Sequence, residues 1–177
     1  MPRHGYGHTL FELLITLTLA ALIFGLGLPT FGTLLADKRL RTETDALFHA
    51  VHLARKASVT RRRVVTLCAS LDGQWCDPAG NWSNGWIMFE NDARDAAGVR
   101  SANEKLLKYH LVDDQVTLDA NRRSFAFRST HLRATNGSIV VCDRIGRARS
   151  RALVVSYTGR PRVATETTRG TPYSCAD

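Results

Sequence analysis

The chain has 177 residues with 24 lysines and arginines against 16 acids, a formal net charge of +8. No linker or internal repeat divides it, so the length accommodates one modest core, and the basic surplus points toward polyanionic contacts. Neither a Walker motif nor a dinucleotide-binding loop is present, which removes the common nucleotide-driven enzyme classes.

The chain opens with a short basic leader, MPRHGYG, and runs into an apolar stretch in which a single acid, Glu12, precedes 24 residues without formal charge. As a helix that stretch is about 36 Å long, enough to cross a membrane, and it runs on into helix-compatible sequence rather than into a small-residue cleavage site. A carboxylate just inside an apolar helix is costly unless it meets a cation. If the chain is cut after Gly7, the new ammonium of His8 on a neighbouring chain supplies that cation as the helices bundle. The plainer alternative is a signal anchor with Glu12 at the interface. Gly7-His8-Thr9-Leu10-Phe11-Glu12 resembles the processing site of type IV prepilins and pseudopilins. The resemblance implies cleavage by a prepilin peptidase between Gly7 and His8, methylation of the new terminus, and Glu12 as the assembly carboxylate. His8 stands where the family usually has a large apolar residue. Pro29 matches the proline that interrupts the first helix in many pilins, with Gly25, Gly27 and Gly32 around it. Lys38, Arg39 and Arg41 follow the span against a simple positive-inside count, so orientation rests on the leader and the cysteines.

From Asp37 to about Arg61 the period remains helical. Leu40, Thr44, Leu47, Val51, Ala54 and Ser58 form one stripe, leaving Lys38, Arg41, Asp45, His52, Lys56 and Arg63 for other faces. Such a stripe packs on a small domain and requires no ligand, and Arg61, Arg62 and Arg63 read as a solvated helix end. Beyond it the period changes to short strands, over 64–67, 85–89, 106–110, 115–118, 124–127, 137–141 and 152–156, separated by Gly, Asn and Asp. Residues 103–107 are compatible with either a local helix or a strand.

Cys68, Cys76, Cys142 and Cys175 form an even set suited to an oxidising compartment. The expected pairs are Cys68 with Cys76, closing a small turn, and Cys142 with Cys175, pinning the C-terminal tail, although four cysteines allow three connectivities. Zinc ligation is disfavoured by the lack of a Cys-x-x-Cys pair. Residues 67–76, the run Trp82-Ser83-Asn84-Gly85-Trp86-Ile87-Met88-Phe89, and residues 136–143 leading into 152–156 and Thr158-Gly159-Arg160-Pro161-Arg162 resemble the FimT/GspH family of minor pilins and pseudopilins. The likeness covers essentially the whole chain. It implies an α+β, type IV pilin-like fold: a leader (1–7), a transmembrane and filament-core helix (8–36), its amphipathic second half (37–63), and a β-rich globular domain (64–177). It also implies a single-pass inner-membrane protein with a periplasmic domain that becomes extracellular in the pilus. Its partners would be other pilins or pseudopilins, the peptidase, the inner-membrane assembly platform, and membrane lipid before assembly. Read without the resemblance, Trp75, Trp82 and Trp86 are core or turn-packing aromatics.

Residues 122–162 hold ten arginines against one acid, Asp143, whereas residues 72–120 hold nine acids and four bases. A basic region beside an acidic one is the footprint of polyanion contact. Within it the form Gly-Arg-x-Arg occurs twice, at Gly146-Arg147-Ala148-Arg149 and Gly159-Arg160-Pro161-Arg162. In each, glycine permits a turn and the guanidinium forks suit phosphate without reading a base. The second motif matches, by position and type, the loop that carries DNA contact in DNA-binding FimT members, which implies double-stranded DNA as a partner, captured near a pilus tip during transformation. Arg147, Arg149 and Arg151 are expected to extend that surface. The alternative is a GspH-like pseudopilin that initiates or caps a type II secretion pseudopilus. Ser129, Ser156 and the histidines His4, His8, His49, His52, His110 and His131 form no nucleophile–base motif, so no catalytic residue, metal or cofactor is expected.

Overall fold

A computed structural model describes residues 9–92, 98–129 and 133–175, excluding the side chains of residues 26–30. Gly7 and His8, the expected processing site, lie outside the described residues. One helix, α1 (Leu10–Arg61), runs for 52 residues. It starts on a reciprocal cap: Glu12 N donates to Thr9 Oγ1 at 3.2 Å and Thr9 N donates to Glu12 Oε2 at 3.4 Å. It ends where Arg62 takes a left-handed conformation (φ 53°), just ahead of the β-branched pair Val64-Val65. The helix is continuous through Pro29. A proline removes only one donor from the ladder, and one missing bond need not end a long helix.

Eight strands follow: β1 (Val64–Ala69), β2 (Gly85–Asn91), β3 (Leu106–Leu111), β4 (Val116–Ala120), β5 (Ser124–Phe127), β6 (Gly137–Asp143), β7 (Arg151–Val155) and β8 (Pro161–Ala164). They form two antiparallel four-stranded sheets, ordered β3-β2-β1-β5 and β4-β6-β7-β8. Residues 106–107 open β3, which resolves the helix-or-strand ambiguity there.

The second half of α1 is the element both sheets share. Leu40, Thr44, Leu47, Val51, Ala54 and Ser58 are all buried, and the hydroxyls of Thr44 and Ser58 return to helix carbonyls at Leu40 and Arg55. Leu40, Leu47, Val51 and Ala54 pack with Leu67, Trp82, Trp86, Phe125, Ile139 and Leu153 in one core. Burial of that stripe on strands rich in Val, Ile and Phe is the main stabilising contribution, since helix propensity alone contributes little. Glu43 is the buried exception: its carboxylate bonds His110 Nε2 at 2.8 Å and accepts from Asp113 N at 3.2 Å.

The first half of α1 projects from this domain, with Leu10, Phe11, Leu22, Ile23 and Phe24 exposed. Between Leu10 and Gly25 the described side chains run for 16 residues, short of the ~20 a span requires. Among the described residues no helix is long and apolar enough to cross a membrane. Disulfides join Cys68 to Cys76, closing the loop after β1, and Cys142 to Cys175, holding the tail on β6.

Candidate nucleic-acid interface

The turn between β7 and β8 is built from Gly159-Arg160-Pro161-Arg162 and the residues before it. Gly159 N donates to Ser156 O at 2.8 Å, Ser156 N to Arg160 O at 3.0 Å, and Arg160 N to Ser156 Oγ at 3.0 Å. Gly159 has φ +73° and is buried, and a Cβ there would stand 3.2 Å from both Ala134 Cβ and Phe127 Cδ1. Both conditions select glycine. Proline then begins an edge strand, where its missing donor is tolerated. Arg160 closes the turn, and Arg162 follows within β8 opposite Val154. Both are exposed, and among the described residues no carboxylate pairs with either.

Two further segments meet this turn. Ala134 N donates to Tyr157 O at 2.8 Å, tying the connection after β5 to it, and the Arg133 guanidinium lies 5.6 Å from the centre of the exposed Tyr157 ring. Arg55, Arg128, Arg133, Thr158 and Gly159 line one small cleft beside the end of α1. The surface is therefore an arginine group with one exposed aromatic, drawn from the helix, the β5–β6 connection and the β7–β8 turn. Arg55 and Tyr157 carry no sequence signal of this role. Only the topology brings Arg55 to the cleft at Gly159 and Arg133 to the Tyr157 ring.

The first Gly-Arg-x-Arg motif does not join it. β6, β7 and β8 are successive antiparallel strands, so the 144–150 turn and the 156–160 turn lie at opposite ends of β7. Arg147, Arg149 and Arg151 line a cleft with Thr33, Leu34 and Asp37, near the other end of the packed part of α1. From Asp37 to Arg55 the helix advances about 27 Å. Strand reversal thus places Arg147, Arg149 and Arg151 at the other end of β7 from Arg160. Two of these arginines also have acid partners: Arg147 Nε stands 3.7 Å from Asp143 Oδ2, and Arg151 Nη2 is 2.8 Å from Asp37 Oδ1. The hydrogen bond from Arg151, reinforced by the Arg151 and Arg41 charges, holds the Asp37 carboxyl below its usual range. Asp72 is lowered likewise, by the backbone N–H groups of Trp75 and Gln74.

Other expected residues fall elsewhere. Glu12 caps the start of α1, far from either arginine cluster in sequence. Arg61 pairs with Glu90 and Arg63 with Asp92, so that basic run is largely compensated. Trp82 and Trp86 are buried, whereas Trp75 is 44% exposed beneath the Arg100 guanidinium. Among the described residues no group of three or more His, Cys, Asp or Glu side chains is placed to hold a metal ion.

The family described as Type II transport protein GspH matches residues 43–159, which include the packed half of α1 and reach the Gly159 turn. No curated protein sequence matches the chain closely enough to stand as a relative. Among solved structures, the type IV minor pilin FimU of Pseudomonas aeruginosa superposes with a TM-score of 0.55 at 19% identity, covering 79% of this chain and 97% of that one. The minor pseudopilin EpsH from the type 2 secretion system of Vibrio cholerae superposes at 0.52 with 8% identity, covering 71% and 96%. The fold is therefore that of a type IV pilin: an N-terminal helix packed on antiparallel sheets.

Proposed function

From the chain's membership of the GspH family, whose proteins are minor pilins and pseudopilins, we propose that it is a minor pilin placed at or near the tip of a type IV pilus, where it holds extracellular double-stranded DNA for uptake in natural transformation. The observation that carries this reading is the pair Arg160 and Arg162, exposed, unpaired among the described residues and presented by the turn that Gly159 shapes. Gly159 of the same turn lines a cleft with Arg128, Arg133 and Arg55 toward the end of the domain away from the projecting half of α1, the end a tip subunit would present. Recognition is through phosphate oxygens, so it is independent of base sequence and weakened by salt. Tyr157 adds a flat face against which a backbone sugar can rest.

In this reading the apolar segment 8–36 anchors the subunit in the inner membrane until a peptidase cuts after Gly7, and Glu12 then pairs with the amine of His8 on a neighbouring subunit. Arg160→Ala with Arg162→Ala in the intact organism should leave pilus assembly unchanged and abolish most DNA uptake. Retained uptake would refute the reading. The GspH match itself favours a second reading, a minor pseudopilin of a type II secretion system. A deletion strain that secretes poorly but transforms normally would establish that one instead.

A further inference from the structure

We propose that the cleft between residues 32–37 of α1 and the 144–151 turn is a docking site for the phosphate of an anionic phospholipid headgroup, on the outer leaflet of the membrane in which α1 is anchored. The cleft has a volume of about 430 Å³ and is lined by Thr33, Leu34, Asp37, Arg147, Arg149 and Arg151. Its chemistry is graded along the helix. Phe31, Leu34 and Leu35 are exposed apolar side chains on the anchor side, and the arginines begin at the same level. Arg147 Nη1 lies 3.7 Å from the point where a Cβ on Gly32 would stand, so its guanidinium rests against the helix backbone at residue 32.

Depth along the helix explains that grading. Twenty residues from Leu10 cover about 30 Å, the thickness of the hydrocarbon layer, so residues 32–37 fall in the headgroup layer just beyond it. A guanidinium at that level meets phosphate oxygens, which it binds by paired hydrogen bonds. The carboxylates present do not cancel the site. Asp143 takes the Arg147 backbone N–H at 2.7 Å as well as its side chain, and Asp37 is shared between Arg151 and Arg41. Arg149 is exposed and has no carboxylate partner among the described residues. Lys38, exposed on the same stretch of helix, adds a further positive charge. This assignment gives the first Gly-Arg-x-Arg motif a role separate from that of Arg160 and Arg162, and it rests on the reading that α1 spans the membrane.

The test uses the full chain in lipid nanodiscs made of phosphatidylcholine alone or with one part phosphatidylglycerol to two of phosphatidylcholine, followed by amide hydrogen exchange. Exchange in the 144–150 turn should slow about fivefold when phosphatidylglycerol is present, the effect of roughly one arginine at an anionic surface. Arg149→Glu should remove that protection and Arg149→Lys should retain most of it, with exchange in β1 and β2 unchanged as the check on folding. Equal exchange in the two lipid mixtures, with the chain resisting alkaline extraction, would overturn the lipid site alone. Release of the chain by alkali would overturn the membrane span, and the lipid site with it.

Discussion

Replacing Gly159 by alanine tests whether the β7–β8 turn is built as described, because the structure provides its own control. Gly146, in the other Gly-Arg-x-Arg motif, has nearly the same backbone angle, φ +74° against +73°, but nothing within 4 Å of the place a Cβ would take, whereas at Gly159 the methyl would press on Ala134 and Phe127 at 3.2 Å. Both substitutions bear the left-handed strain of a residue with a Cβ, roughly 1–2 kcal/mol, and both gain the same reduction in unfolded-state freedom. Only Gly159→Ala adds overpacking against a buried ring, roughly 1–3 kcal/mol. The fragment to use begins at Thr33, since the core side chains start at Ala36 and Leu40. In urea unfolding, with a slope near ~2 kcal/mol per molar, the Gly159→Ala midpoint should fall about 0.5–1.5 M below that of Gly146→Ala. Its DNA affinity should fall as well, because Arg160 moves with the turn. Equal midpoints would refute the packing assigned to Gly159.

Opening the Cys142–Cys175 bond by serine substitution frees a loop with a sequence separation of 33, against 8 for Cys68–Cys76. Chain entropy then gives losses of about 4 and about 2.5 kcal/mol respectively, and calorimetry of the two variants should preserve that order. Asp37, whose carboxyl is lowered by Arg151, contributes stability at neutral pH that is lost as pH falls below its ordinary value of 3.8. Asp37→Asn should therefore flatten the acid limb of the unfolding curve, and an unchanged limb would show that the Arg151 contact contributes nothing. Glu12→Gln keeps the cap on Thr9, since glutamine serves at that position, but removes the charge. Filament incorporation should fall as far in Glu12→Gln as in Glu12→Ala, as measured in sheared filaments, and normal incorporation of the glutamine variant would reduce Glu12 to a helix cap.

The helix stripe was legible because burial enforces a 3.6-residue period that hydroxyls at Thr44 and Ser58 can join once they bond their own carbonyls. Seven strand segments were visible through alternation and turn residues, but β8 was not. It opens on Pro161 and carries an arginine, Arg162, in a run of four, which reads as loop until its place on a sheet edge explains both. The cap at Thr9 was readable as Thr-x-x-Glu, yet the apolar context drew attention to the charge of Glu12 instead. What one dimension cannot carry is direction. Two similar arginine motifs close together in sequence look like one surface, and a single hairpin reversal sends them to opposite ends. Tyr157 and Arg55 became part of the candidate site for the same reason, through contacts that only the folded chain makes. Glu43 stays buried because β3 and the turn after it present His110 and Asp113, partners distant in sequence.

DNA binding by the Thr33 fragment, measured on duplexes of unrelated sequence across a salt series, bears most directly on the proposed function. The unmodified fragment should bind all sequences alike and lose affinity steadily as salt rises. Arg160→Ala with Arg162→Ala should weaken binding to every duplex and reduce the slope of log affinity against log salt by about 1.8, one counterion contribution of about 0.9 for each lost phosphate contact. Arg147→Ala with Arg149→Ala should change that slope far less. A double Arg160/Arg162 variant with unchanged affinity and slope, or an unmodified fragment that ignores DNA at low salt, would contradict the assignment of this turn as the DNA contact.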